Sequence, residues 1–153
     1  MKLRVLLGLF CMLTSFAAFG VQYAWFEPGS SCDPNNNSTA FSRSSGKITY
    51  TGIGATSFTC GPTLVYGNNN TSINSEFWVT NPSGGTIICS ISGKNRDGTI
   101  VSSSAPVQTS AVSASPVQLV VNSSAYKGTW GTWIGECTLP SGASITNYII
   151  LSQ

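Results

Sequence analysis

The stretch Trp130–Ile145, WGTWIGECTLPSGASI, carries the strongest strand signal in the chain, and the strand is followed by a turn within the same stretch. Side chains at alternate positions of a β-strand point to the same face of a sheet. Trp133, Cys137 and Leu139 therefore share one face, which we expect to be core. Trp130 has the opposite parity and is expected to face outward or to line a cleft.

The first twenty residues, MKLRVLLGLFCMLTSFAAFG, have the pattern of a secretory signal peptide. Lys2 and Arg4 precede an apolar run over residues 5–13, which is too short to span a membrane. Small residues then end the segment at the alternate positions that a signal peptidase reads. Cys11 follows Gly-Leu-Phe and belongs to the apolar run, so no lipid anchor is expected. We predict one mature domain over residues 21–153, secreted or periplasmic, with no membrane insertion after the signal is removed.

The charge of the predicted mature domain is balanced. Without Lys2 and Arg4, the seven basic residues fall to five, which equal the five acidic residues. No basic cluster is present to neutralise phosphates, which argues against nucleic acid as a partner. Few charges among many Ser, Thr, Asn and Gly residues are typical of an extracellular β protein, and the apolar strands can supply a core.

Four cysteines remain after the signal peptide: Cys32, Cys60, Cys89 and Cys137. An even number in an oxidising compartment indicates two disulfides, and three pairings are possible. We favour Cys32–Cys60, which flanks an early meander, and Cys89–Cys137, which joins two strong strands. A zinc site is disfavoured because the chain has no histidine and no Cys-x-x-Cys pair.

Short alternating runs separated by turn residues predict eight or nine strands and no helix in the mature chain. Residues 72–80 and 86–92 both alternate, and Asn81–Gly85 between them is rich in turn formers, so we expect a hairpin there. Residues 95–98 predict a second turn, and residues 102–115 an irregular edge or crossing loop. The expected fold class is all-β, a two-layer antiparallel β-sandwich of immunoglobulin-like or jelly-roll type. The order of the strands is left open.

The sequence disfavours three catalytic or metal-binding arrangements. Because histidine is absent, a Ser-His-Asp or Cys-His centre cannot form. Glu76 and Glu136 are the one carboxylate pair that could serve a glycoside hydrolase, although each is more simply a solvated surface residue. Asp33, Asn35 and Asn37 resemble a calcium-binding alternation, but a turn rich in Asn and Asp explains them better. We therefore expect no catalytic residue, no metal and no cofactor.

The aromatic residues are the remaining candidates for a binding site. Tyr126, Trp130 and Trp133 lie close in sequence, and Trp25 and Trp78 add two more rings. Exposed tryptophan stacks on the planar face of a sugar, whereas buried rings simply fill a small core. Parity assigns Trp133 to the core and leaves Tyr126 and Trp130 as the predicted ligand-binding residues.

The cysteine pattern Gly29-Ser30-Ser31-Cys32, Cys60, Cys89 and then CTLPSGASI over residues 137–145 resembles a group of small secreted bacterial β-rich proteins that have no assigned function. The resemblance implies secretion, two disulfides and a bacterial origin. It transfers no catalytic or ligand residue.

These observations favour a non-enzymatic binding or interaction module for carbohydrate or protein, acting at the cell envelope or outside the cell. The alternative is a structural or assembly subunit of a surface structure, whose strand edges pair with copies or partners. A hydrolase that uses a carboxylate pair is the remote third hypothesis.

Overall fold

A computed structural model describes residues 23–65, 73–95, 97–122 and 131–152. The predicted signal peptide, residues 1–20, lies outside these ranges. Strands dominate the described chain, with one 3-10 turn at Gly29–Ser31. The strands are β1 (Tyr23–Pro28), β2 (Asp33–Pro34), β3 (Phe41–Ser44), β4 (Lys47–Tyr50), β5 (Ala55–Val65), β6 (Ile73–Asn81), β7 (Ile87–Asn95), β8 (Ile100–Ser103), β9 (Val107–Thr109), β10 (Ser113–Asn122), β11 (Gly131–Pro140) and β12 (Ser144–Ser152).

The strands form two six-stranded antiparallel sheets that pack face to face. Sheet A has the order β10-β6-β12-β4-β3, and β1 pairs with the far part of β12, where Tyr23 lies opposite Ser152. Sheet B has the order β2-β5-β11-β7-β8, with β9 also on β7. The two-layer antiparallel sandwich expected from the sequence is confirmed.

Period-two alternation determines which side chains enter the core. Along β6, Ile73, Ser75, Phe77 and Val79 are buried, and every intervening side chain is partly exposed. The same alternation holds on β11, where the face that carries Trp133 is buried. Burial of apolar side chains on the inner faces contributes the main favourable free energy of folding.

The predicted hairpin of residues 72–80 with 86–92 is wrong. Strand β6 pairs with β10 and β12 in sheet A, whereas β7 pairs with β8, β9 and β11 in sheet B. The Asn81–Gly85 segment carries the chain from one sheet to the other, and Asn81 Nδ2 donates to the Gly85 carbonyl at 2.6 Å. Alternation shows which face of a strand is buried but not its neighbour, and two strands that face each other across a core have the same pattern as a hairpin.

Two other sequence-based expectations need correction in detail. Residues 102–115 were expected to be irregular, but they contain β9 and the first residues of β10, with a register shift between Ser113 and Val117. Asp33, expected in a turn rich in Asn and Asp, instead forms β2 with Pro34, and this strand pairs with Thr59 and Phe58 of β5. The turn at residues 95–98 is present, because the Gly98 amide donates to the Asn95 carbonyl at 2.9 Å, and β7 and β8 form the hairpin around it.

Both disulfides lie in sheet B and join neighbouring strands. Cys32 bonds to Cys60 and Cys89 bonds to Cys137, which are the two pairs favoured from the sequence. Cys89 and Cys137 are direct register partners on β7 and β11, with their Cα atoms 4.1 Å apart. All four cysteines are fully buried. The first bridge therefore ties Cys32, the residue just before β2, to β5, and the second cross-links β7 to β11.

We expect the double variant Cys89→Ala/Cys137→Ala to lose about 2–5 kcal/mol of unfolding free energy. Without this bridge, the unfolded chain has more conformational freedom. Guanidinium unfolding measures the loss. The matched variant is Cys32→Ala/Cys60→Ala, which removes the bridge that closes the shorter loop.

Peptide mapping without reductant should recover Cys89 linked to Cys137. Free thiols in the purified native protein would contradict the pairing.

The two sheets approach each other closely where Gly135 of β11 faces Phe77 of β6. A Cβ atom added to Gly135 would lie 2.6 Å from Phe77 Cζ, which is too short for any real contact. The Phe77 ring also stacks on Tyr148 of β12, with centroids 6.3 Å apart. Glycine at position 135 thus makes room for an aromatic ring at the centre of the core.

The phenol of Tyr148 makes the stability of the fold depend on pH in the alkaline range. Burial raises the pKa of its phenol, and the nearby Glu27 carboxylate adds to the effect. The folded chain therefore holds this proton more tightly than the unfolded chain, so the stabilisation is complete below the ordinary value of 10.0 and is lost as pH rises above it.

We expect the urea midpoint of the wild type to fall as pH rises from about 9 to about 11. Tyr148→Phe should flatten that dependence, since the variant has no phenol to ionise there. Equal alkaline losses in the two proteins would contradict the role of Tyr148.

Candidate functional site

The two residues predicted to bind a ligand, Tyr126 and Trp130, lie between β10 and β11, outside the described residues. Their assignment stays a prediction. Trp133 is described and is fully buried on the inner face of β11, which agrees with its predicted core position.

A different tryptophan lies on the surface of the described chain. Trp78 points to the outer face of sheet A, where it is partly exposed, because its neighbours Phe77 and Val79 point inward. Its register partners are Asn147 on β12 and Gln118 on β10. We call these three side chains, one on each of three adjacent strands, the Trp78 row.

The Trp78 row adjoins a second cross-strand row on the same face. There Glu76 lies between Ile149 of β12 and Val120 of β10. The Glu76 carboxylate accepts a hydrogen bond of 2.7 Å from Gln118 Nε2, so the Gln118 side chain links the two rows. Val120 is 44% exposed, and the face thus combines an indole, amides, one carboxylate and aliphatic carbon.

The core holds the Trp78 row in place from below. Phe77 is adjacent to Trp78 in sequence, and its ring is fixed between Tyr148 and the backbone at Gly135. The Thr146 hydroxyl donates to the carbonyl of Trp78 at 3.0 Å, at the register shift between Ile145 and Asn147 of β12. A side chain on a regular strand with such support is better positioned than one on a loop.

The outer face of sheet B has a different character. Its cross-strand pairs are rich in hydroxyls, such as Ser57 and Thr138, whose oxygens lie 2.8 Å apart. Ile134 and Ile88 are the larger apolar side chains there, and no aromatic ring is among the described outward residues of β5, β7 and β11. Hydrogen bonds within this face satisfy much of its polar surface, which favours a solvated role.

The two carboxylates proposed for a hydrolase do not come together. Glu76 is on the outer face of sheet A, and Glu136 is on the outer face of sheet B, where it accepts 2.7 Å from Asn35 Nδ2. Packed sheets are themselves about 10 Å apart, so two outward carboxyls on opposite layers exceed the roughly 5–10 Å that glycoside hydrolysis requires. The pair of Glu76 and Glu136 is therefore ruled out as a catalytic pair.

The alternation of Asp33, Asn35 and Asn37 does not converge on a cation site either. Asp33 forms an ion pair with Arg43, and Asn35 bonds Glu136 and Thr59. Asn37 has a left-handed φ of 54°, as expected for a turn rich in Asn. Among the described residues, no group of three or more acidic or cysteine side chains could hold a metal.

Within the described part of the chain, no helix is long and apolar enough to cross a membrane.

Comparisons with known proteins support the fold. No family model matches the sequence, and no curated protein is significantly similar to it. Among solved structures, the infectious bursal disease virus structure aligns with 87% of this chain at 13% identity and a TM-score of 0.56. The enzymatically active domain of tailspike protein 4 from bacteriophage CBA120 aligns with 70% at 18% identity and 0.52. The C-terminal CBM6 of LamC, a laminarinase from Zobellia galactanivorans, aligns with 86% at 14% identity and 0.50.

The extent of these alignments differs. This chain spans 32% of the viral chain and 15% of the tailspike chain, but the whole of the CBM6 module. At such low identities the likeness shows a shared β-sandwich fold.

Sequence reasoning missed the Trp78 row as a candidate site, although the signal for Trp78 itself was present. The alternation of residues 72–80 already placed Trp78 and Glu76 opposite the buried face. Gln118 and Asn147 could not be added, because their positions beside Trp78 depend on the strand order. The cluster of aromatic residues near Trp130 drew the prediction toward a local segment instead.

Acrylamide quenching of tryptophan fluorescence should distinguish the two described indoles. We expect Trp78→Phe to reduce the quenchable part of the emission, because acrylamide reaches the outer face of sheet A. Trp133→Phe should reduce only the emission that is not quenched, since Trp133 is fully buried. An unchanged quenchable fraction in Trp78→Phe would contradict the exposure of the Trp78 row.

Proposed function

We propose that this protein is a non-enzymatic carbohydrate-binding module and that the Trp78 row is its binding surface. The observation that carries the proposal is the outward Trp78 on the central part of sheet A, flanked by two amide side chains in register. The site needs no metal or cofactor.

The chemistry of the row matches that of a sugar. The face of a pyranose ring presents C–H groups that pack on an indole, and its hydroxyls both donate and accept hydrogen bonds. The amides of Gln118 and Asn147 can do the same on either side of the ring. Binding sites commonly combine an aromatic surface with a few well-placed polar groups.

The structural comparison also supports the proposal. The aligned LamC domain is a CBM6, that is, a carbohydrate-binding module, and this chain covers its full length. A domain of the same size and fold therefore serves as a carbohydrate-binding module in that laminarinase.

The disulfides support a location at the cell envelope or outside the cell. Disulfides persist in the periplasm and in extracellular space and are rare in the reducing cytosol. Export fits the signal peptide expected at residues 1–20. Tyr126 and Trp130, if exposed, would be further contacts for the same ligand.

Several sheet edges have features that oppose the alternative of an assembly subunit. In the described chain, edge strands β2, β3, β8 and β9 have two to four residues each, whereas β1 has six and β5 is covered by β2 at only two of its eleven residues. The longer edge strand β10 contains Pro116 beside a register shift. Short edges and edge proline are devices that prevent strand pairing between molecules.

We expect Trp78→Ala to weaken binding to the glycans that the wild type recognises on an array by about thirtyfold or more, as is usual when a central tryptophan is truncated. Trp78→Tyr should retain part of the affinity, because a ring remains. Isothermal titration against the best array glycan measures both effects.

Ile134→Ala is the matched control, because Ile134 occupies a similar outward and partly buried position on sheet B. It should bind like the wild type, and unfolding curves of all the variants confirm that they are folded. A wild type that binds no glycan, or a folded Trp78→Ala that binds normally, would refute the proposal.

A further inference from the structure

The ligand class can be narrowed by the direction and charge of the site, on the basis that the proposed glycan binding is correct. We infer that the Trp78 row binds an internal stretch of an extended, uncharged polysaccharide that crosses the strands, and that Glu76 rejects anionic chains. Three features of the described face lead to this inference.

The first feature is the direction of the row. Asn147, Trp78 and Gln118 are direct register partners, so they form a line perpendicular to the strands. Neighbouring strands are about 4.8 Å apart, which is close to the advance of one sugar residue in an extended chain. A polysaccharide that crosses the strands thus places one residue on Trp78 and its neighbours on the two amides. A chain that ran along β6 would instead leave the indole for Glu76 and Asn74.

The second feature is that the described strands leave the row open at both ends. Gln118 lies on β10, which is the edge strand of sheet A in the described chain, so no further strand continues the face beyond it. At the other end, Asn147 faces Pro28 of β1, which is an exposed residue at the end of its strand. A chain can therefore enter on one side and leave on the other, which suits internal sugar residues and does not require a chain terminus.

The third feature is an acidic group beside the row. Glu76 is two positions from Trp78 on the same face, and its carboxylate is held there by Gln118 Nε2 at 2.7 Å. Within the described residues, no basic side chain forms an ion pair with Glu76. Its second oxygen can accept from a sugar hydroxyl in a charge-assisted hydrogen bond. The same negative charge repels a uronate or sulfate group on a sugar bound at Trp78.

The cations of the described chain do not offset this charge. Arg43 pairs with Asp33 and donates to the carbonyls of Ser30 and Cys32, at the β3 end of the sheet. Lys47 is on β4, on the far side of β12 from Glu76, and Lys94 is on β7 of the other sheet. As far as the described residues extend, the surroundings of Trp78 are therefore neutral to acidic.

The test uses one neutral soluble glucan to which the wild type binds and the same glucan oxidised at C6 to the uronate. These two ligands have the same backbone and linkages and differ at C6, where a carboxylate replaces the hydroxymethyl group; the salt dependence isolates the effect of the charge. Affinity electrophoresis or titration should show the oxidised chain bound about tenfold more weakly at low salt, and the difference should shrink as added salt screens the repulsion. Affinity for the neutral oligomers should also rise from one sugar to at least three and should not depend on the reducing end.

Glu76→Gln is the decisive variant, because it keeps the size and the hydrogen-bonding ability of the side chain and removes its charge. It should bind the oxidised glucan nearly as well as the neutral one. Lys47→Gln is the control for a general charge effect and should leave the wild-type preference in place.

The outcomes separate this inference from the proposed function. If Trp78→Ala loses binding but the wild type takes both glucans equally, or Glu76→Gln keeps the wild-type preference, the module stands and the charge assignment is wrong. If monosaccharide binds as tightly as oligomers, the cross-strand path is wrong. If no glucan or other polysaccharide binds, the proposed function itself fails.

Discussion

The contact between Phe77 and Gly135 is the constraint on which both layers of this protein depend. The Phe77 ring fills the space that a side chain at position 135 would take, so it presses directly on the backbone of sheet B. Gly135 is itself the register partner of Cys60, and Cys137 lies two residues further along β11. The ring of a sheet A strand thus lies close to both disulfide-bonded regions of sheet B. Because Trp78 follows Phe77, the same contact also sets the position of the surface indole.

The two outer faces of the sandwich differ in their chemistry, so the two sides of the molecule are not equivalent. Sheet B carries the disulfides inside and a hydroxyl-rich surface outside, with hydrogen bonds such as that between Ser57 and Thr138. Sheet A has no disulfide in the described chain and carries Trp78 and the amides. Covalent reinforcement therefore lies in one layer and the proposed binding surface in the other. The strands that carry this surface are held by packing and hydrogen bonds, and no disulfide joins them in the described chain.

Much of the fold could be predicted from local patterns, and the part that failed has a single physical cause. Alternation placed Trp133, Cys137 and Leu139 in the core, and chain export with an even cysteine count indicated two bridges. Alternation cannot choose a strand's partners, because every strand of a sandwich buries one face in the same way. The hairpin of β6 with β7 was wrong for this reason. The Trp78 row was out of reach for the same reason, since Gln118 and Asn147 come from strands distant in sequence.

The pairing of β1 with β12 has a mechanical consequence. Tyr23 and Ser152 are opposite each other, so tension applied to the two ends of the described chain pulls this antiparallel pair apart from one end. Its hydrogen bonds then break one after another and do not share the load. After β1 is peeled away, the force at the C-terminal side acts on β12, which carries Asn147. At the N-terminal side it reaches Cys32, whose bridge to Cys60 passes the load directly into sheet B. A pull on the chain would thus act on a strand of the surface around Trp78 at one end and on a disulfide at the other.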